Sequence, residues 1–339
     1  MGEKGKVTIY DLAAKLNTTA STVSRALQNS PRISAKMRKA VHELAEKLHY
    51  IPDPVAHHLR TGKGSVIGIL VPRIDRHFFA SIISSFQKTA MKQNYNIIIA
   101  ASNESQAEEM AAIRALLSKK VDGIAISLSA ETTENNYEEL CETHNTPILF
   151  FDRVPSDCKS DTVTSDNFKI GYDAVIQLRK RGCRKIGHFA GPQNLKMYAD
   201  RYAGYKQALL DFNSEFNEGF IYNNCITLET GSETAQKILA HDERPDGIFS
   251  AGDFSAITAL DTFRRRGLNI PQDIAMIGVA NEPFDNYLST PLSSFYLHEE
   301  KIGELSANML LDRINAKNTD KEPKHVIVEH ELINRDSAI

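Results

Sequence analysis

A single arginine among small hydroxyl side chains is the first place in this chain where chemistry can be read. The segment Ala20-Ser21-Thr22-Val23-Ser24-Arg25 carries Ala20, Ser21, Ser24 and Arg25 at spacings that put them on the outward face of one short helix. Short side chains let such a helix approach base edges, and a guanidinium can donate two hydrogen bonds to guanine. Thr8, Tyr10, Thr19 and Ser24 add hydroxyls of the kind that bind phosphate oxygens, and Asn29 follows just beyond the helix. A plain three-helix bundle with a solvated Ser/Arg face would use the same residues.

A second group lies at or just after the ends of apolar runs further along. It comprises Arg76, Phe78, Phe79, Ser127, Asp152, Arg153, Arg201, Asp253 and Asn281. Carboxylates such as Asp152 and Asp253 can accept from sugar hydroxyls, and Arg201 can hold a hydroxyl or a carboxylate. Phe78 and Phe79 can stack on a ring. Ion pairs between lobes, helix caps and core packing would call on the same side chains.

Other chemistries lack their residues. There is no GxGxxG or GxxxxGK[ST] loop, no HExxH and no GxSxG. The stretch from Gly187 to Gly191 reads as a strand end. Cys141, Cys158, Cys183 and Cys225 include no CxxC pair, which argues against a zinc site or a disulfide framework. An enzyme is therefore not expected, and neither is a cofactor or a metal.

The elements that must position these residues follow from periodicity and charge. Thr8 precedes a helical stripe of Ile9, Leu12, Ala13 and Leu16, and Asp11 stands near its positive end. Asn17 takes the turn where glycine is usual, Thr19 can cap a second helix, and Val23 returns an apolar contact ten residues after the small Ala13. This is helix-turn-helix spacing. A third helix is expected from about Ser34 to His49, with Val41, Leu44, Ala45 and Leu48 inward. Residues 1–60 hold ten Lys or Arg against five acids, and the remainder holds 30 against 38. A basic head on an acidic body directs phosphates to the head alone.

Tyr50 to Gly64 reads as a hinge. Pro52 and Pro54 break the preceding helix, and Asp53 can cap a short one that orders only on DNA. Leu59 would then be an apolar wedge in the minor groove, beside the small Ala56. A plain linker is the alternative.

From residue 66, apolar runs alternate with helical stretches: 66–72, 96–102, 123–127, 147–152, then again at 185–191, 247–252 and 274–280. This predicts an α/β body of two doubly wound parallel-sheet lobes. Ile67-Gly68 is echoed by Ile186-Gly187, and Asp122-Gly123-Ile124 by Asp246-Gly247-Ile248. The expected domains are a helix-turn-helix head at 1–49, the hinge at 50–63 and the body at 64–339. Within the body, one lobe takes about 64–163 plus 293–326, and the other about 164–292 plus 327–339.

With these pieces in place, the chain resembles the LacI/GalR family of bacterial transcription regulators over nearly its full length. The resemblance rests on TIYDLAAKLNTTASTVSRAL, LHYIPDPVAHHLRTGKGSVIGILVP, VDGIAIS, FFDR, SDNFKIGYDA, KIGHFAGP, DRYAGY, RGLNIPQDIAMIGVAN and LINRDS. It implies a periplasmic-binding-protein-like body and a homodimer on a pseudo-palindromic operator, with a small-molecule effector such as a sugar or sugar acid between the lobes. It maps Ala20 and Ser21 onto specificity positions and Arg25 onto a base-contacting arginine. It maps Leu59 onto an intercalating leucine with Ala56 as its small neighbour, and Arg201 onto an arginine that grips the effector. Three pocket positions depart from the family pattern. Gly252-Asp253 stands for Asn-Asp, Ala280-Asn281 for a carboxylate pair, and Arg76-His77 for Asn-Pro. An acidic sugar could use Arg76 and Arg201.

No apolar run of membrane-spanning length is present, and a cytoplasmic location is expected. A periplasmic-type sugar-binding protein would share the body but would not need residues 1–60. An enzyme using the cleft would need a catalytic constellation that the local sequence does not offer.

Overall fold

The computed structural model describes residues 7–27, 29–50, 64–133, 136–212, 216–316 and 322–339. The chain divides into two compact units, Met1–Gly64 and Ser65–Ile339.

The first unit packs three helices, α1 (Ile9–Lys15), α2 (Ala20–Leu27) and α3 (Ala35–Lys47). Thr8 and Asp11 close a reciprocal capping box: the Asp11 amide donates to Thr8 Oγ1, and the Thr8 amide donates to Asp11 Oδ2 at 2.7 Å. Asn17 holds φ +46° in the turn, as its tolerance of the left-handed region allows. The Thr22 amide donates to Thr19 Oγ1 at 3.2 Å, which caps α2. Ser34 caps α3 through the Met37 amide. Leu12, Ala13, Val23, Ala26, Val41 and Ala45 form the core. The hinge residues Ala56 and Leu59 lie outside the described residues.

The second unit contains two six-stranded sheets of matching order. In the first sheet the order is β11-β5-β4-β3-β1-β2, from β1 (Val66–Val71), β2 (Asn96–Ala101), β3 (Ile124–Ile126), β4 (Ile148–Phe151), β5 (Asp161–Ser165) and β11 (His325–Val328). In the second it is β12-β10-β9-β8-β6-β7, from β6 (Ile186–Phe189), β7 (Ile221–Tyr222), β8 (Gly247–Ser250), β9 (Ala275–Val279), β10 (Ser293–Tyr296) and β12 (Glu331–Ile333). All pairings are parallel except β10 with β12. The central strands are buried on both faces because helices cover them, whereas the edge strands β2, β7, β11 and β12 are partly exposed. These helices are α4 (His77–Lys92), α5 (Gln106–Ser118), α6 (Tyr137–Thr143), α7 (Asn167–Arg181), α8 (Lys196–Asp211), α9 (Leu228–Leu239), α10 (Asp253–Arg265) and α11 (Glu299–Asn315).

The sequence echo has a physical meaning. β1 and β6 hold equivalent places, as do β3 and β8. Asp122 accepts from the Ser65 amide at 2.7 Å, and Asp246 accepts from the Arg184 and Lys185 amides at 2.9 Å. Each aspartate thus anchors the start of the neighbouring strand.

The lobe boundaries differ from expectation. Ser293 pairs with Ile277 and Phe295 with Val279, so β10 belongs to the second lobe and not to the first. The chain returns to the first lobe only after Tyr296, and β11 stays there to Val328 by pairing with β5. Chain crossings between lobes therefore fall between β5 and α7, between β10 and α11, and between β11 and β12.

Candidate functional site

On the head, α2 turns Val23 and Ala26 into the core and leaves Ser21 and Arg25 exposed, with Ala20 and Ser24 half-buried beside them. The Arg25 side chain makes no hydrogen bond or ion pair among the described residues. Tyr10 is 73% exposed. Thr8, Thr19 and Asn29 are exposed but already engaged. Thr8 Oγ1 donates to Asp11, and Thr19 Oγ1 lies 3.0 Å from Thr22 Oγ1. Asn29, at φ +54°, uses its carbonyl to accept from Arg38 and its Oδ1 to meet His42 Nε2 at 3.2 Å. Asn29 therefore joins α2 to α3.

In the body, a cleft of about 720 Å³, partly open to solvent, lies between the carboxyl ends of the two sheets. Arg76 reaches it from just before α4, Phe78 and Phe79 from the first turn of α4, Asp152 from the end of β4, Arg201 from α8 and Asp253 from the start of α10. Phe78 and Phe79 pack edge to face with centroids 5.2 Å apart and belong to the core cluster, so the wall is also core. Asp152 adopts φ +57°, a strained conformation for a non-glycine residue at a strand end.

Arg201 is 3% exposed. Its Nε donates to Asn167 Oδ1 at 2.9 Å and its Nη1 to the Ala251 carbonyl at 2.8 Å. Its place on the wall is fixed by backbone contact between α7 and α8. A Cβ on Gly171 would stand 2.0 Å from the Arg201 carbonyl oxygen, and one on Gly204 would stand 1.9 Å from that of Phe168. No side chain fits at this crossing, which accounts for the glycines of IGYDA and YAGY.

Two expected contacts are not in the wall. Ser127 follows β3 directly and is buried, its amide donating to the Leu70 carbonyl at 3.0 Å. Asn281 accepts from Arg335 Nη2 at 2.6 Å, while its amide donates to Ser294 Oγ. It is part of a clamp in which Arg335 also donates to Asn286 Oδ1 and the Leu292 carbonyl. Asp253 does reach the cleft, but both its oxygens accept from Ser294 Oγ, at 2.8 and 2.9 Å, and Oδ2 also accepts from the Glu282 amide.

The wall also holds residues that the sequence left unassigned: Arg73, Glu104, Tyr198, Phe254 and Glu282. Arg153, named with Asp152 among the strand-end residues, lines the cleft and donates to Glu104 Oε2 at 2.6 Å. Tyr198 sits three residues before Arg201 on α8, a spacing that could have flagged it. Across the cleft, the Arg76 guanidinium lies 3.8 Å from the Phe254 ring centroid. Asn194 of the second lobe donates to the Ala130 carbonyl of the first at 2.7 Å.

Burial dominates the electrostatics. It raises the carboxyl of Asp152 above its ordinary value, opposed by Arg153 and Arg201. It raises Glu282 to about 7, helped by Asp253 and opposed by Arg76. Desolvation raises Asp285 too, with Asp253 beside it. Among the described residues, no group of three or more His, Cys, Asp or Glu is arranged to hold a metal ion. No helix of those residues is long and apolar enough to cross a membrane.

Comparison with known proteins follows the same division. The model for bacterial regulatory proteins of the lacI family matches residues 8–53, and that for a periplasmic binding protein-like domain matches residues 175–338. Catabolite control protein A of Priestia megaterium is 30% identical over 315 residues, covering 93% of this chain and 94% of its own. The transcriptional repressor PurR of Escherichia coli O139:H28 is 31% identical over 332 residues, covering 98% and 96%. Among solved structures, the lac repressor dimer bound to operator and the anti-inducer ONPF superposes with a TM-score of 0.86 at 20% identity, covering 98% and 99%. The CelR–cellobiose complex superposes at 0.74 and 24% identity, covering 98% and 100%. At these identities the superpositions show the fold.

Proposed function

From the premise that this chain belongs to the lacI family of bacterial regulatory proteins, and so is a DNA-binding transcription regulator and not an enzyme, we propose that it is a repressor controlled by a sugar or sugar derivative in the body's cleft. The observation that carries this reading is the Arg25 face of α2 on the same chain as a cleft ringed by strand-end polar groups. In this reading Ala20, Ser21 and Arg25 read base edges, and Thr8, Tyr10, Thr19, Ser24 and Asn29 lie against the phosphates. Ala56 and Leu59 enter the minor groove. Asp152 and Arg201 take effector hydroxyls, with Phe78 and Phe79 as an apolar wall, and the protein works in the cytoplasm where its operator is.

A homodimer fits the first lobe. Its edge strand β2 exposes Ile98 and Ile99, with Ile74 and Met91 also exposed, an apolar surface of the kind that pairs with a second copy. Closure of the cleft on effector would change the spacing of the two hinges and thereby the grip on DNA.

The test uses an operator selected from random duplexes by the full-length protein. Arg25→Ala is expected to lose about 1–3 kcal/mol of discrimination while keeping salt-sensitive nonspecific binding. Equal loss of both would remove Arg25 from base reading. Arg201→Ala is expected to abolish effector response with operator affinity unchanged, and an unaltered response would refute the cleft assignment.

A further inference from the structure

Charge pairing around the cleft is uneven. Arg73 is matched by Asp75, and Arg153 by Glu104. Glu104 also accepts from the Ala130 amide at 2.8 Å, and Asp253 is taken up by Ser294 and the Glu282 amide. Arg76 and Arg201 have no carboxylate within ion-pair distance among the described residues. Arg201 is 3% exposed, and its Nη2 makes no hydrogen bond among the described residues. The carboxylates of Asp152 and Asp253 act on the Arg201 guanidinium, and that of Glu282 feels Arg76, only from beyond ion-pair distance.

Backbone donors add to this. α4, α8 and α10 begin at the cleft wall, after Arg76, Leu195 and Gly252, and none of these N-cap residues supplies a side-chain cap. The first amides of each helix have no acceptor within the helix, and its positive end favours an anion. Gly252 and Ala280 also line the cleft and bring neither charge nor bulk. A Cβ built on Gly252 meets nothing within 4 Å.

We propose that the ligand of this cleft carries an anionic group, phosphate or carboxylate, held between Arg76 and Arg201 beside the open ends of these helices. The proposal rests on the reading of the cleft as the effector site. Asp152, which faces the same space, takes hydroxyls of the ligand away from the anion. Arg76 contributes from the first lobe and Arg201 from the second, so the anion bridges the lobes.

Calorimetry on the full-length protein tests this with matched probes. D-glucose is compared with D-glucuronate and D-glucose 6-phosphate, and D-ribose with D-ribose 5-phosphate. Inorganic phosphate and acetate are measured alone. At least one anion is expected to bind at least about tenfold more tightly than its neutral partner, a margin lost in both Arg76→Gln and Arg201→Gln. The uronate and phosphate arms separate the two anion classes. Arg76 is only half-buried, so its variant reports even where Arg201→Gln fails to fold. Neutral partners binding as well as their anions, or no anion binding at millimolar concentration, would overturn the proposal. Anion binding that survives Ala280→Trp, which fills the cleft, would overturn the cleft reading itself.

Discussion

The His188 ring is fully buried, stacked on Phe249 at 4.7 Å and Tyr205 at 5.1 Å between centroids. Its Nδ1 donates to the Phe249 carbonyl at 2.9 Å. Burial drives its pKa down to about 4, opposed by that hydrogen bond and reinforced by Arg201. A base whose folded pKa is depressed favours folding above its unfolded value, near 6.5, and that contribution fades as pH falls toward 4. The expected loss from this residue is on the order of 3 kcal/mol, from 1.36 kcal/mol per pKa unit. Denaturant titrations between pH 7 and pH 4 check it. His188→Phe should show a flatter pH dependence than the parent, whatever its absolute stability, and an equal slope would show that His188 titrates normally. At this scale the sequence was a good guide where a residue acts on its own backbone neighbourhood. Thr8, Asn17, Thr19 and Ser34 all do what their chemistry favours. It was a poor guide where direction matters. Ser127 and Asn281 were placed at strand ends correctly, but position along a strand does not say where a side chain points, and Arg335, 54 residues away, claims Asn281.

Between elements, the α7–α8 crossing carries the most information about the cleft. Arg201 is held from two sides, by Asn167 at the start of α7 and by the backbone contact through Gly171 and Gly204. Asn167 Nδ2 in turn donates to the Ser165 carbonyl at the end of β5. Gly171→Ala would force these helices apart, at about 1–3 kcal/mol of overpacking, and carry Arg201 out of line. Its expected result is a lowered melting temperature together with a loss of ligand affinity of at least about tenfold, measured by calorimetry with operator affinity as the internal reference. Unchanged ligand affinity would mean that the crossing does not position Arg201. Long apolar strands such as β1 and β4 were plain in the sequence. β5, β10 and β11 were not, because Asp161–Ser165 and Ser293–Tyr296 are rich in hydroxyl side chains and gain their burial from neighbouring strands. Missing β10 is what misplaced the second lobe crossing.

For the whole molecule, the division after Gly64 gives a direct expectation. Residues 65–339 hold both sheets and their own cores, so this fragment should fold, associate and bind ligand with full affinity while losing operator binding altogether. Sedimentation, calorimetry and gel shift together measure this, and operator binding by the fragment would contradict the division of labour. The two-unit plan was legible from the helix-turn-helix spacing and the hinge prolines together with the charge split, since the basic excess stops near residue 60. The cleft was legible in its strand-end residues such as Arg76, Asp152, Arg201 and Asp253, but not in Tyr198, Phe254 or Glu282, because its wall is assembled from segments more than 200 residues apart.

The three chain crossings between the lobes have one more consequence. Two rigid bodies joined at three points lose most of their freedom to slide, and what remains is bending, as in a flexure joint with a single compliant axis. Any molecule that bridges the lobes then writes to the same coordinate, whatever its chemistry. Side chains of the lining, at positions such as Gly252 and Ala280, can therefore change without the output having to be rebuilt.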